Sequence, residues 1–329
     1  MRANWQVTAR SIALAAGMLA SFAAGAQTDP AASYPNRIIK IVVGFAAGGG
    51  NDIIARIIGQ KLQVSLGQSV IIENKVGAGG RLAAESVMAA PPDGYTILVG
   101  ASGAMSIIPA ISVKPPYDTL KAFAPVSMLA SFPLILAVYP SHPARNVQEL
   151  VAWMKANPDK SNYATSSSAF TLATELFKLK TGAPATAIPY KSSNESLVSV
   201  IGQQSALTIA DPPPATPLVK GGQVRALAVT SAKRLDDLPD VPSMAEAGVA
   251  GIDVGLWSGI FVPAATPPGI VGKLEAEFRK MMQSADVKEK FKAMATPTVG
   301  SSAAEFARVI DSETRMWGEV GRAADVKLE

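Results

Sequence analysis

Ile38-Ile39-Lys40-Ile41-Val42-Val43-Gly44-Phe45-Ala46-Ala47-Gly48-Gly49-Gly50-Asn51-Asp52 is the stretch that decides the fold class. Its first half is apolar and β-branched, the composition of a strand covered on both faces. The glycines after it predict a tight turn. Ile53, Ile54, Ile57, Ile58, Leu62 and Leu66 then recur at helical spacing, so 52–66 reads as an amphipathic helix. Strand, glycine turn and helix together make one unit of a parallel α/β sheet.

The same grammar continues outward. Val70-Ile71-Ile72 reads as a short strand, Gly77-Ala78-Gly79-Gly80 as a turn, and Arg81 to Ala90 as a helix stopped by Pro91-Pro92. Tyr95 to Val99 is the next strand. Further strands are expected at 133–139, 163–165, 187–190, 206–210 and 225–230, with helices at 147–156, 170–180 and 195–202 between them. A Pro/Gly-rich connector over 238–268 carries one apolar strand at 259–262. Helical patterns follow at 270–283, 287–294 and 303–322. The expected class is α/β with largely parallel sheets.

Composition removes much chemistry. The 329 residues are enough for two domains, and 48% of them are apolar, which argues against disorder. With no cysteine there is no disulfide, thiolate metal site or cysteine nucleophile. The single histidine, His142, leaves no pair for a histidine metal site. Its setting, Tyr139-Pro140-Ser141-His142-Pro143, reads as a solvated loop. No cofactor or metal is expected. Carboxylate chemistry stays open, because 26 Asp and Glu residues remain.

The N-terminus carries Arg2 and Arg10, an apolar run from Ser11 to Ala26, and Ala24-Gly25-Ala26 before Gln27. That is the pattern of a secretory signal peptide, residues 1–26, cleaved after Ala26. Cleavage removes two arginines and no acid, lowering the formal net charge from +4 to +2. No Lys/Arg cluster appears, so no nucleic-acid partner is expected. The mature chain is expected to be exported, soluble and monomeric.

The turn Gly44 to Asp52 joins a buried strand to a helix start. Glycines there let backbone N–H groups approach a ligand, and a helix N-terminus carries about half a positive charge. The bland alternative is a tight connection with no ligand. Nucleotide motifs fail on spacing: after Gly44 and Gly49 comes Gly50-Asn51 rather than Lys-Ser/Thr, and the third position after Gly77-Ala78-Gly79 is Leu82. A second polar turn, Ser166-Ser167-Ser168, also follows a strand and precedes a helix. Its serines either cap that helix or donate to a ligand carboxylate. Gly100-Ala101-Ser102-Gly103 is a third small, polar strand end. Ligands of open α/β sheets lie beyond the carboxyl ends of strands, so two such lobes would face two helix N-termini across one cleft. Asp52 serves its own helix or meets the ligand. Asp211, before Pro212, faces the cleft or caps a helix. Lys191 reads as a solvated turn residue, and Trp257 as packing at a domain junction.

Several blocks in order resemble the Bug family, the extracytoplasmic solute receptors of tripartite tricarboxylate transporter systems. They are Tyr34-Pro35, Gly48-Gly49-Gly50-Asn51-Asp52 with Arg56, Glu73-Asn74-Lys75-Val76-Gly77-Ala78-Gly79-Gly80, and Pro92-Asp93-Gly94-Tyr95-Thr96. Ile188-Pro189-Tyr190-Lys191, 221–231 and Leu238-Pro239-Asp240-Val241-Pro242-Ser243 continue the series. The resemblance implies a two-lobed flytrap of periplasmic-binding-protein type II. Residues 27–130 and 231–329 would form one lobe and 131–230 the other. It implies ligand contact through the loop Phe45, Ala46, Ala47, Gly48 and Gly49 and the turn Ser166, Ser167 and Ser168, to which Ser102 and Asp211 are added as candidates. A small organic carboxylate is the implied ligand, and membrane transporter subunits the implied partners. An enzyme in the same cleft and a ligand sensor are the alternatives. The chain departs from the family where Ala46-Ala47-Gly48-Gly49-Gly50 stands for a Pro-Gly-Gly opening, where Ser166-Ser167-Ser168-Ala169-Phe170-Thr171-Leu172 stands for a glycine-bearing turn followed by His-Leu, and where Ser192-Ser193 stands for Gly-Ser. Those departures bear on which ligand fits.

Overall fold

The computed structural model describes residues 31–323. The expected signal peptide and its cleavage point lie outside the described residues.

Two five-stranded sheets form two lobes. The first has the order β2-β1-β3-β10-β4, with β1 Ile39–Val43, β2 Val70–Asn74, β3 Thr96–Ala101, β4 Phe123–Pro133 and β10 Gly255–Pro263. β1, β2 and β3 are parallel, and β10 runs antiparallel between β3 and β4. The second sheet has the order β7-β6-β8-β5-β9, built from β5 Ile135–Val138, β6 Asn162–Thr165, β7 Thr186–Pro189, β8 Leu207–Ala210 and β9 Arg225–Val229. Here β5 is the antiparallel strand.

β1 is buried on both faces, as its composition requires. Ile39, Ile41 and Val43 enter the main core with Ile54, Ile58 and Leu62, while Val42 points to a second cluster with Ala83, Ala84 and Val87. Helix α1, Gly50–Leu66, begins two residues before the predicted start and ends on Gly67 in the left-handed conformation. The 11-residue strand β4 has no counterpart in the sequence reading. Pro125 and Pro133 argue against a strand, but β4 lies at a sheet edge, where a missing N–H costs no ladder bond.

The chain passes between lobes at Leu134 and in the segment after β9, and Thr230 ties the two passages together. Its hydroxyl donates to Val254 O at 2.6 Å and accepts from Leu134 N–H at 2.7 Å. The lobes touch across the cleft. Ala46 N–H donates to Lys191 O at 3.3 Å, and Thr216 Oγ1 donates to Met294 O at 3.1 Å. This is a closed arrangement.

His142 is not solvated, contrary to the reading of its loop: it is 2% exposed. Its ring packs edge-on against Tyr139 and Trp153, with centroids 4.9 and 4.6 Å away, and its Nδ1 accepts from Ala144 N–H. Burial and the neighbouring Arg225 guanidinium hold its pKa below the usual value. The two aromatic rings supply the cover that a polar pentapeptide does not advertise.

Candidate functional site: a closed chamber between the lobes

Five chain segments with helix starts or strand ends converge between the lobes. From the first lobe come the start of α1 and the end of β3. From the second come the starts of three helices: α2, Ser168–Thr181; α3, Ser193–Ile201; and α4, Pro212–Lys220. Phe45, Gly49, Gly50, Asn51, Ser102 and Gly103 face Ser166, Ser167, Phe170, Ser193 and Asp211 around a narrow chamber. Phe132, Leu256 and Trp257 line it from the strands nearest the lobe crossing. A wider groove adjoins it, sharing Phe45, Ser166 and Ser167, and runs past Ser168, Leu172, Ile108, Arg81 and Lys191.

The glycine loop is held from within. Gly48 takes a positive φ of 82° and donates its N–H to Asp52 Oδ2 at 2.9 Å. Asp52 also accepts from Arg56 Nε at 2.8 Å and Asn74 Nδ2 at 2.8 Å. Burial opposes its charge, but Arg56, Asn74 and the Gly48 N–H together keep its pKa below the ordinary carboxylate value. Asp52 thus serves its own loop and helix. Gly49 N–H is used as well, by Ala46 O at 3.2 Å.

Not every expected residue reaches the chamber. Ala46, Ala47 and Gly48 do not line it; Ala46 instead meets Lys191 across the cleft, and Gly48 lies beside Asn194. Ser168 lines the groove and not the chamber. Ser102 is 1% exposed and accepts from Trp257 N–H at 3.4 Å. Ser166 Oγ and Ser168 Oγ are buried and have no hydrogen-bond partner. Ser167 stands at the N-cap position of α2, yet its hydroxyl does not cap the helix. The serine turn therefore does not spend itself on its own helix, the bland alternative raised by its sequence.

Asp211 lies in the chamber wall, 2% exposed. Burial pushes its carboxyl up to about 6, against a hydrogen bond from Ser193. Gly50 lies so close that a Cβ on it would stand 1.7 Å from Asp211 Oδ2. Sequence reasoning passed over Gly50, Asn51 and Ser193 as site residues. Ser193 was findable, since it starts a helix just after β7. Phe132 and Leu256 carry no local signal, and Trp257 reads from its sequence as packing alone; the antiparallel pairing of β4 with β10 brings all three to the chamber. Trp257 packs edge-on to Phe306 at 4.9 Å and donates its indole N–H to Glu313 at 2.6 Å. Burial pushes Glu313 up to about 7, against that bond. Lys191 is exposed at the groove's edge.

Residues 54–326 match the family model of the tripartite tricarboxylate transporter family receptor, TctC. The chain belongs to this family of solute receptors. It is 34% identical over 304 residues to Protein BugT of Bordetella pertussis, covering 90% of this chain and 92% of the relative. Among solved structures, it is 34% identical to R. palustris Rpa4515 with adipate, with a TM-score of 0.85 over 89% of this chain and 98% of that one. It is 30% identical to MatC (Rpa3494) from Rhodopseudomonas palustris with bound malate, with a TM-score of 0.83 over 87% of this chain and 99% of that one. The two-lobed periplasmic-receptor fold implied by the sequence blocks is therefore the fold of the chain's relatives. The family is one of solute-binding receptors and not of enzymes, which sets the enzymatic alternative aside.

Proposed function

We propose that this protein captures a small organic carboxylate between its lobes and delivers it to membrane subunits of the tripartite tricarboxylate type. The observation that carries the reading is the pair of buried, unpartnered hydroxyls of Ser166 and Ser168 at the start of α2. A buried donor without a partner costs about 1–3 kcal/mol, a cost that a bound anion recovers. The helix N-terminus behind them favours negative charge. The adipate and malate carried by two relatives support the same ligand class.

Residues 27–130 and 231–329 act as one lobe and 131–230 as the other, hinged where Thr230 ties the two passages. Ligand favours the closed state by contacting both lobes at once. The protein is exported with cleavage after Ala26 and works in the periplasm as a monomer. Mass spectrometry of exported protein should find Gln27 as the first residue; retention of Met1 would refute cleavage.

A thermal-shift screen against a panel of mono-, di- and tricarboxylates tests the ligand class. A ligand at 100 times its dissociation constant adds ~2.7 kcal/mol to stability. No shift from any carboxylate, with a shift from a neutral compound or a cation, would overturn the reading. Loss of uptake of the identified acid on deleting the gene tests delivery.

A further inference from the structure

Asp211 has an acceptor that its own helix cannot use. It occupies the N-cap position of α4, where a carboxylate ordinarily accepts from the N–H groups two or three residues on. Here those residues are prolines. Pro212, Pro213 and Pro214 fill the first turn and carry no N–H. The side chain accordingly makes no capping bond. The Ser193 hydroxyl donates to the carboxylate, and Oδ1 is buried with no partner. Asp211 is also the one ionisable side chain among the described residues lining the chamber. Gly50 of the opposite lobe seals it from above. The result is an acceptor-only group, dehydrated by closure, with no donor supplied by the protein for one of its oxygens.

We infer that Asp211 selects among carboxylates: the chamber takes an acid that also carries a hydrogen-bond donor, a hydroxyl or an ammonium group, and Asp211 Oδ1 accepts from it. This rests on the carboxylate reading above. The ligand's carboxylate meets the serine turn, where the unpartnered hydroxyls are, and its donor points to α4. A plain acid of the same length leaves Oδ1 buried and unpaired, so closure over it is less favourable. An ammonium group would also supply the countercharge that the wall lacks.

The test is calorimetric titration of the mature chain at pH 7.5 with matched acids of three lengths. The sets are succinate, malate and aspartate; glutarate, 2-hydroxyglutarate and glutamate; and adipate, 2-hydroxyadipate and 2-aminoadipate. Within the tightest-binding length, a donor-bearing acid should bind roughly tenfold or more tightly than the plain one, the effect of one hydrogen bond to a charged group. The hydroxy and amino arms show which donor is read. Asp211→Asn should reduce the preference to roughly threefold or less, a change of ratio that mere destabilisation would not produce. Equal or tighter binding of the plain acid to the wild-type chain overturns the inference without touching the carboxylate reading. Preference retained in Asp211→Asn also overturns it. Absence of binding by every acid overturns both.

Discussion

Gly50 is small for a reason that no pattern in its own helix supplies. A methyl group there would overlap the Asp211 carboxylate of the other lobe. Gly50→Ala should leave the fold intact, since alanine gains up to ~1 kcal/mol over glycine inside a helix. It should nonetheless hold the lobes apart and weaken ligand binding tenfold or more, ~1.4 kcal/mol. Titration calorimetry, with scattering to follow closure, checks both halves. Ser166 offers the complementary experiment, because its hydroxyl is buried and unpartnered. Ser166→Ala should leave the melting temperature of the free protein unchanged or slightly higher. Affinity should fall by ~0.5–1.5 kcal/mol, or up to ~3 if the acceptor is charged. The serine turn was legible from its place after a strand and before a helix. The role of Gly50 was not, because it depends on a residue 161 positions away whose approach only the closed fold fixes.

Most of the parallel strands and their helices announced themselves through runs of β-branched residues and helical spacing. β4 did not, because its prolines hide a strand that only its edge position permits. The link between β9 and β10 was equally silent, since Thr230 looks like an ordinary strand-end threonine. Its hydroxyl serves Leu134 N–H and Val254 O at once while fully buried. Thr230→Val keeps the shape and strands both partners. The expected loss is ~2–6 kcal/mol, from about 1–3 for each orphaned group, read as a lower urea midpoint. The C-terminal helix Ala303–Ala323 gives a pH-dependent counterpart. Glu313 on that helix has its folded-state pKa raised by burial to about 7, above its ordinary 4.5. The stability it contributes is complete below the unfolded value and is lost as pH rises through about 7. Glu313→Gln keeps an acceptor for Trp257 and removes the proton. It should therefore flatten the decline of stability between about pH 4.5 and 7, roughly 3 kcal/mol at most, as measured by urea unfolding at several pH values.

Taken whole, the molecule is two similar sheets whose helix starts meet, and that meeting is what makes a receptor of two ordinary α/β lobes. Among the described residues no helix is long and apolar enough to cross a membrane. Order of the sequence blocks revealed the family. The chamber was visible only in part, because its apolar walls come from Phe132, Leu256 and Trp257 near the crossings. Trp257 has an optical consequence. Its indole lies in the chamber wall, hydrogen-bonded to a titrating carboxyl and packed against Phe261 and Phe306. Trp153 lies against His142, away from the chamber lining, and Trp317 is on the C-terminal helix. Emission from Trp257 should therefore shift when ligand fills the chamber, so that occupancy is read without any attached dye. Trp257→Phe would silence that signal while Trp153 and Trp317 continue to report the fold.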